Sequence, residues 1–392
     1  MPGALDGLVV LDVTNHLSGP YCSMLLADHG ADVIKVERPG KGDDARGMPP
    51  FVEGEGAPFM VWNRNKRSIT LDLKSPEGKA ALLRLVDDAD ILVENNRPGA
   101  MDRLGLGWDV LSARNPRLIM GSISGFGQTG PYRERGGFDL VAQGMSGLMS
   151  VCGPADGPPH RLPIAISDVT AGMHLAIGIL AAVEARHRTG RGQAVETSLL
   201  EAALSLEVYE AAHVFATGER PARLGQGHRG SAPYQAFQTA DGWITVGAGQ
   251  QNFWERLCEI VEAPELATDP RFRTNADRVG NVAVLVELLQ QRFLLRPSQH
   301  WLDAMDAAAI PCGPILHCEE VLADPHVLAR DMVAHTDHPI TGPFRTLGVP
   351  VKLSETPGSV RRPAPRLGEH TAEVLAAVGL AVPAEAAKKR PA

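Results

Sequence analysis

The residue best placed to do covalent chemistry is Asp168. It stands in Ile164-Ala165-Ile166-Ser167-Asp168-Val169-Thr170, directly before a long apolar run. A carboxylate at the start of a helix is an ordinary N-cap. The positive potential of the same helix end also keeps a carboxylate ionised, and therefore nucleophilic. Spacing alone does not separate these two readings. The other nucleophile patterns lack partners. Gly121-Ser122-Ile123-Ser124-Gly125 has the wrong spacing for a G-x-S-x-G elbow, and Cys22 on the first helix reads as a small buried hydrophobe. His187, His213 and His228 have no H-x-x-x-H or H-E-x-x-H context, so no metal site is expected.

Cations suggest a second kind of chemistry. Lys35, Arg38, Arg46, Arg64, Lys66, Arg67, Arg97 and Arg103 fall at strand ends and in loops of the N-terminal half. They read either as ligands for a phosphate-bearing molecule or as a solvated surface. A dinucleotide reading fails. The first strand-to-helix turn, Thr14-Asn15-His16-Leu17-Ser18-Gly19-Pro20, lacks the G-x-G-x-x-G pattern. Gly125-Phe126-Gly127-Gln128-Thr129-Gly130 matches it, but Pro131 and a charged stretch follow where a helix is required.

Alternating strands and helices must position these residues. Strands are expected at Leu8–Val13, Ala31–Val36, Ser68–Leu73, Ile91–Glu94 and Leu118–Ile123, with helices at Tyr21–His29 and from Pro76 to Asp87 behind an N-cap at Ser75. Strands separated by helices indicate parallel βαβ units. Ala171–Arg188 is apolar almost all round and is expected to be a buried helix, and Glu196–Phe215 a second long one. Asp241-Gly242 between Tyr234–Gln238 and Trp243–Val246 predicts a hairpin. Helices follow at Gln251–Val261, Asn281–Leu294 and Ser298–Ala308, then a proline-rich connection and a short helix at Thr371–Val378. The tail from Pro383 is expected to fray.

The 392 residues suffice for two or three domains. Hydrophobic residues make up 44% and charged residues 21%, as in globular proteins, while 41 glycines and 30 prolines call for many turns. A net charge of −8 argues against nucleic acid as a partner. No run of about 18 uncharged apolar residues is present, so no membrane partner is expected. Five cysteines without a C-x-x-C, and a start without signal-peptide character, are read as a cytoplasmic protein with reduced thiols.

At Leu5-Asp6-Gly7, Gly30-Ala31-Asp32-Val33-Ile34-Lys35-Val36-Glu37, Asn65-Lys66-Arg67-Ser68, Ser124-Gly125-Phe126-Gly127, Asp168 with Gly172, Thr189-Gly190-Arg191-Gly192-Gln193 and Leu367-Gly368-Glu369-His370-Thr371 the chain resembles the class III CoA-transferases. The resemblance spans nearly its whole length. It implies a catalytic Asp at Asp168, and an acidic residue near the active site at Asp139, a position that also reads as a helix N-cap. It implies CoA contacts at His16, Leu17, Ser18, Arg38, Leu71, Lys74, Asn95, Asn96, Arg97 and Arg103. Some relatives carry a Gln at the position of Leu17, which has no hydrogen-bonding group. CoA enters as the acyl-CoA substrate, with no permanently bound cofactor and no metal. The segment from Leu224 to Phe237 resembles the branch acting on succinyl-CoA and dicarboxylic acids, and Gly227, His228 and Arg229 could meet the distal carboxylate. The rival branch, the α-methylacyl-CoA racemases, uses a His where Phe138 stands, and Phe138 cannot move a proton.

The implied fold is α/β, a Rossmann-like large domain with a smaller α+β domain, in an interlocked ring-shaped homodimer. Residues 1–199 form the large domain, 200–224 a linker, 225–320 the small domain and 321–392 a segment rejoining the large one.

Overall fold

The computed structural model describes residues 2–381, so the expected frayed tail from Pro383 lies outside the described residues. The chain forms two compact units. The first comprises the described residues up to Leu148, Leu162–Ala212 and those from Asp324 on; the second comprises Met149–Arg161 and His213–Ala323. This division differs from the expected one in two places. A short piece before Arg161 belongs to the second unit, and the first runs on through residues expected to be linker.

A six-stranded parallel sheet forms the centre of the first unit. Its strands are β1 (Val9–Asp12), β2 (Asp32–Glu37), β3 (Lys66–Thr70), β4 (Ile91–Glu94), β5 (Ile119–Ser124) and β6 (Ala194–Ser198), in the order β3-β2-β1-β4-β5-β6. The inner strands are almost wholly buried, which is why they read as continuous apolar runs rather than alternating ones. Helix α1 (Ser18–Asp28) follows β1. Helix α2 (Pro76–Asp88) starts where Ser75 accepts the Gly78 N–H and proline needs no partner for its nitrogen. Chain order reverses between β1 and β4, so a crevice opens at their carboxyl ends, the usual ligand position in such sheets.

Helices α3 (Asp139–Ser146) and α4 (Ile166–Thr189) follow β5. Ala171, Leu175, Ile179 and Ala182 of α4 pack into the core beneath the sheet. By length and composition α4 is apolar enough to span a membrane, but this inner face is that of a core helix. All-round burial, expected from composition, does not occur: Met173, Ile177 and Leu180 are exposed, Ile177 at 64%.

The expected helix Glu196–Phe215 is instead strand β6 followed by α5 (Leu199–Leu204) and α6 (Val208–Thr217). Two local features explain this. A Cβ on Gly192 would stand 1.8 Å from the Leu118 carbonyl oxygen, so glycine lets the chain lie against the sheet and pair with β5. Ser198 then caps α5 through the Glu201 N–H.

The second unit contains the predicted hairpin, β7 (Tyr234–Gln238) and β8 (Trp243–Gly247), closed by the Thr239 N–H to the Gly242 carbonyl. Helices pack on it around Phe237, Trp254, Phe293 and Trp301. The last helix, α7 (Thr371–Ala377), returns to the large sheet. Thr371 Oγ1 accepts the Thr70 N–H, and Val374 and Leu375 enter the core.

Candidate active site

The crevice is assembled from strand ends. After β1 the chain turns sharply at His16, whose φ is +65°, and enters α1. Asn95, just beyond β4, holds that turn. Its Oδ1 accepts the Asn15 N–H at 2.9 Å, and its Nδ2 donates to the Asn15 carbonyl at 2.7 Å and the Ser18 hydroxyl at 3.3 Å. Helix α4 brings Asp168 to the same place, because Gly172 lets it approach α1. A Cβ there would lie 2.7 Å from the Ser18 carbonyl oxygen. The result is a cleft of about 340 Å³ lined by His16, Leu17, Ser18, Asn95, Asn96, Arg97 and Asp168.

Asp168 is half-buried in the first turn of α4. Burial pushes its carboxyl up to about 6, the charge of Asp139 pushes the same way, and a hydrogen bond from Ser18 opposes both. Asp139 is buried and held from two sides: one oxygen accepts the Ser167 N–H at 2.9 Å, the other the Gln143 amide at 2.7 Å. Gln143 also accepts the Leu162 N–H, so it fastens the segment leading to Asp168. At neutral pH Asp168 is ionised, yet more basic than an ordinary carboxylate. That combination suits attack on a carbonyl.

A neighbouring cleft of about 640 Å³ is lined by Arg38, Leu71, Lys74 and Asn96, so Asn96 belongs to both. Its apolar floor adds Leu73, Met101 and Leu104 beneath cations. Arg38 donates to the Gly42 carbonyl and to Asp44 but stays 55% exposed. This is chemistry for a phosphate-bearing ligand with an apolar part. Arg103 lines neither cleft; it follows Gly99 and lies 3.1 Å from where a Cβ there would be. Gly227, His228 and Arg229 lie in the second unit, where Arg229 donates to the Ala222 carbonyl and the His228 ring accepts the Gly230 N–H.

Four of the grouped cations serve neither a phosphate nor a surface. Lys35 pairs with Asp43 at 2.7 Å, Lys66 with Asp12 at 2.9 Å, Arg46 with Glu37 at 2.7 Å and Arg64 with Asp28 at 2.7 Å, all buried. They fix the strand ends from below. Sequence reasoning missed Gln143, Met48 and Trp62, of which the last two line the cleft beside Asp168. Two glycines were the available signal for how the far wall forms. Gly125 and Gly137 touch, a Cβ on Gly125 lying 2.7 Å from the Gly137 Cα, which brings Phe138 to the cleft.

The family model CoA-transferase family III matches residues 5–371. The chain belongs to this family. Among its relatives, the succinyl-CoA:glutarate CoA-transferase of Homo sapiens is 38% identical over 95% of this chain and 85% of its own. An acetyl-CoA:oxalate CoA-transferase from Acetobacter aceti is 41% identical over 94% of both chains. The crystal structure of a CAIB/BAIF family protein from Brucella suis superposes with a TM-score of 0.86 at 37% identity, covering 96% of this chain and all of that one. An enzyme of the CoA-transferase type thus accounts for a cleft with a raised carboxylate joined to a cation-rimmed one.

Proposed function

We propose that this enzyme moves CoA from an acyl-CoA, with succinyl-CoA as donor, to a free dicarboxylic acid, and that Asp168 carries the acyl group and then CoA. The carrying observation is the Asp168 carboxylate, raised to about 6, facing the cleft beside Ser18 and Asn95. The relatives acting on glutarate and oxalate support the substrate class.

The steps follow from one carboxylate exchanging partners. An Asp168 oxygen bonds to the thioester carbon, the C–S bond breaks, and CoA leaves as thiolate with the electron pair. The resulting anhydride is attacked by that thiolate at the Asp168 carbonyl, releasing the donor acid and leaving an aspartyl-CoA thioester. The acceptor carboxylate attacks this thioester, expelling thiolate again, and the thiolate then takes the acceptor acyl group and frees Asp168. Each thioester is made as another is lost, so no external energy source enters. The Ser18 hydroxyl hydrogen-bonds the Asp168 carboxylate in the first turn of α4, so hydroxyl and helix N-terminus together steady negative charge at Asp168. Arg38, Lys74 and Arg97, which line the two clefts, hold the CoA phosphates, and Leu71 packs on its base. We assign a homodimer, supported by the exposed Met173, Ile177 and Leu180 on α4, and a cytoplasmic setting, supported by five free thiols. Proton abstraction next to a thioester is disfavoured, because Phe138 offers no second base.

The test is mass spectrometry of the peptide carrying Asp168 after mixing enzyme with succinyl-CoA alone. A CoA adduct that hydroxylamine converts to a hydroxamate is expected on the wild type and absent from Asp168→Ala. Full exchange activity in Asp168→Ala sinks the proposal.

A further inference from the structure

We infer that Arg135 receives the distal carboxylate of the dicarboxylic acid while Asp168 engages its other end; this rests on the CoA-transferase reading above. A dicarboxylic acyl group brings a second negative charge into the cleft. That charge enters beside Asp168, against walls that include Leu17, Met48, Trp62 and Phe138. An anion against such surfaces requires a cation with free donors.

Three basic residues line the cleft: His16, Arg97 and Arg135. His16 faces Asp44, 3.7 Å away. Arg97 also lines an adjoining cleft that holds the carboxylates Glu94, Asp102 and Glu196. Among the described residues, no carboxylate pairs with Arg135. Its guanidinium carbon sits 4.8 Å from the centre of the Tyr132 ring and 5.6 Å from that of Phe126. Those ring faces orient the planar group without using its N–H donors. The neighbouring Arg133 is the one that pairs with Glu134.

The position of Arg135 is tied to that of Asp168. Gly137 and Gly125 touch, so the loop carrying Arg135 is pinned to the end of β5. Two residues on, Asp139 grips the Ser167 N–H at 2.9 Å, next to Asp168. The loop backbone and the nucleophile are thus tied to one another, and both side chains line the same cleft. The pair His228 and Arg229 is the weaker candidate, since Arg229 already donates to the Ala222 carbonyl at 3.0 Å.

The experiment compares wild type, Arg135→Gln and Arg135→Lys in CoA exchange with glutarate as acceptor, alongside calorimetric binding of glutarate, butyrate and free CoA. Succinyl-CoA carries a distal carboxylate of its own, so free CoA is the control for the nucleotide end. Arg135→Gln is expected to weaken glutarate, by KM and by calorimetry, on the order of tenfold to a hundredfold. Butyrate and CoA affinities should stay within about twofold, and Arg135→Lys should recover part of the loss. Unchanged glutarate affinity overturns the inference, and so does a loss of CoA affinity in the same proportion, which makes Arg135 a CoA ligand. A wild type that exchanges CoA with no acid defeats the transferase reading instead, and the calorimetry still decides whether Arg135 selects dianions.

Discussion

One carboxylate oxygen of Asp139 accepts the backbone N–H of Ser167 at 2.9 Å, one residue before Asp168. The charge that lifts Asp168 is therefore fastened to the same helix end that holds Asp168. Asp139→Asn keeps an acceptor for Ser167 but removes the charge. The Asp168 carboxyl should then fall below about 6, without reaching an ordinary aspartate value because burial is the larger cause. Exchange needs Asp168 ionised, so wild-type kcat/KM should decline as pH falls through about 6. In Asp139→Asn this acid limb moves to lower pH. A limb that stays put shows that Asp139 does not act on Asp168 through charge.

Gly172→Ala tests the close approach of α4 to α1. The new Cβ would stand 2.7 Å from the Ser18 carbonyl oxygen and 3.2 Å from the Cys22 nitrogen, both backbone atoms that cannot swing aside. The helices must separate, at about 1–3 kcal/mol. Asp168 moves away from Ser18 with them. Exchange activity should fall on the order of a hundredfold while circular dichroism stays native. Near-normal activity means the separation of the two helices does not set the nucleophile.

Legibility in the sequence followed how local each cause is. Continuous apolar runs marked the buried strands β1, β4 and β5, and Asp241-Gly242 marked its hairpin, because both signals sit within a few residues. Asp168 before a long apolar helix was visible for the same reason. Partners far along the chain were not. Lys66 meets Asp12 across 54 residues and Arg64 meets Asp28 across 36, so these cations looked like surface or ligand groups. Strand β6 was misread because only pairing with β5 makes it a strand. The exposed side of α4 has the same composition as its buried side, and composition carries no direction.

Asp12 is the hinge of the buried charge network under the crevice. It lies at the end of β1, fully buried, with Lys66 at 2.9 Å, Lys35 at 3.9 Å and the Ser23 hydroxyl at 2.7 Å. Burial holds the Lys66 amine down to about 8 even with Asp12 beside it. Asp12→Ala leaves the buried Lys66 ammonium without its carboxylate partner, while Lys35 keeps Asp43, at about 3–5 kcal/mol. Asp12 raises the Lys66 amine, so without it that amine loses its proton at lower pH, and the loss should ease as pH rises until Lys66 is neutral in both folded proteins. Urea melts at pH 7 and pH 9.5 check this; equal losses at both contradict it.

The raised carboxyl of Asp168 has a cost in stability that can be measured without substrate. An ordinary aspartate in the unfolded chain titrates near ~3.9, and Asp168 in the fold near about 6. Between these values the folded state binds more protons than the unfolded one. Stability contributed by this group is therefore present below pH ~4 and lost as pH climbs through about 6. The difference corresponds to a cost on the order of 3 kcal/mol at neutral pH. Asp168→Asn has a similar shape and no titration, so it should be more stable than wild type at pH 7.5 and closer to it at pH 4. Differential scanning calorimetry at the two pH values reads this as a Tm gain that shrinks on acidification. A variant less stable than wild type at pH 7.5 would mean that Asp168 is held by contacts stronger than its burial, and the nucleophile would not be a strained one.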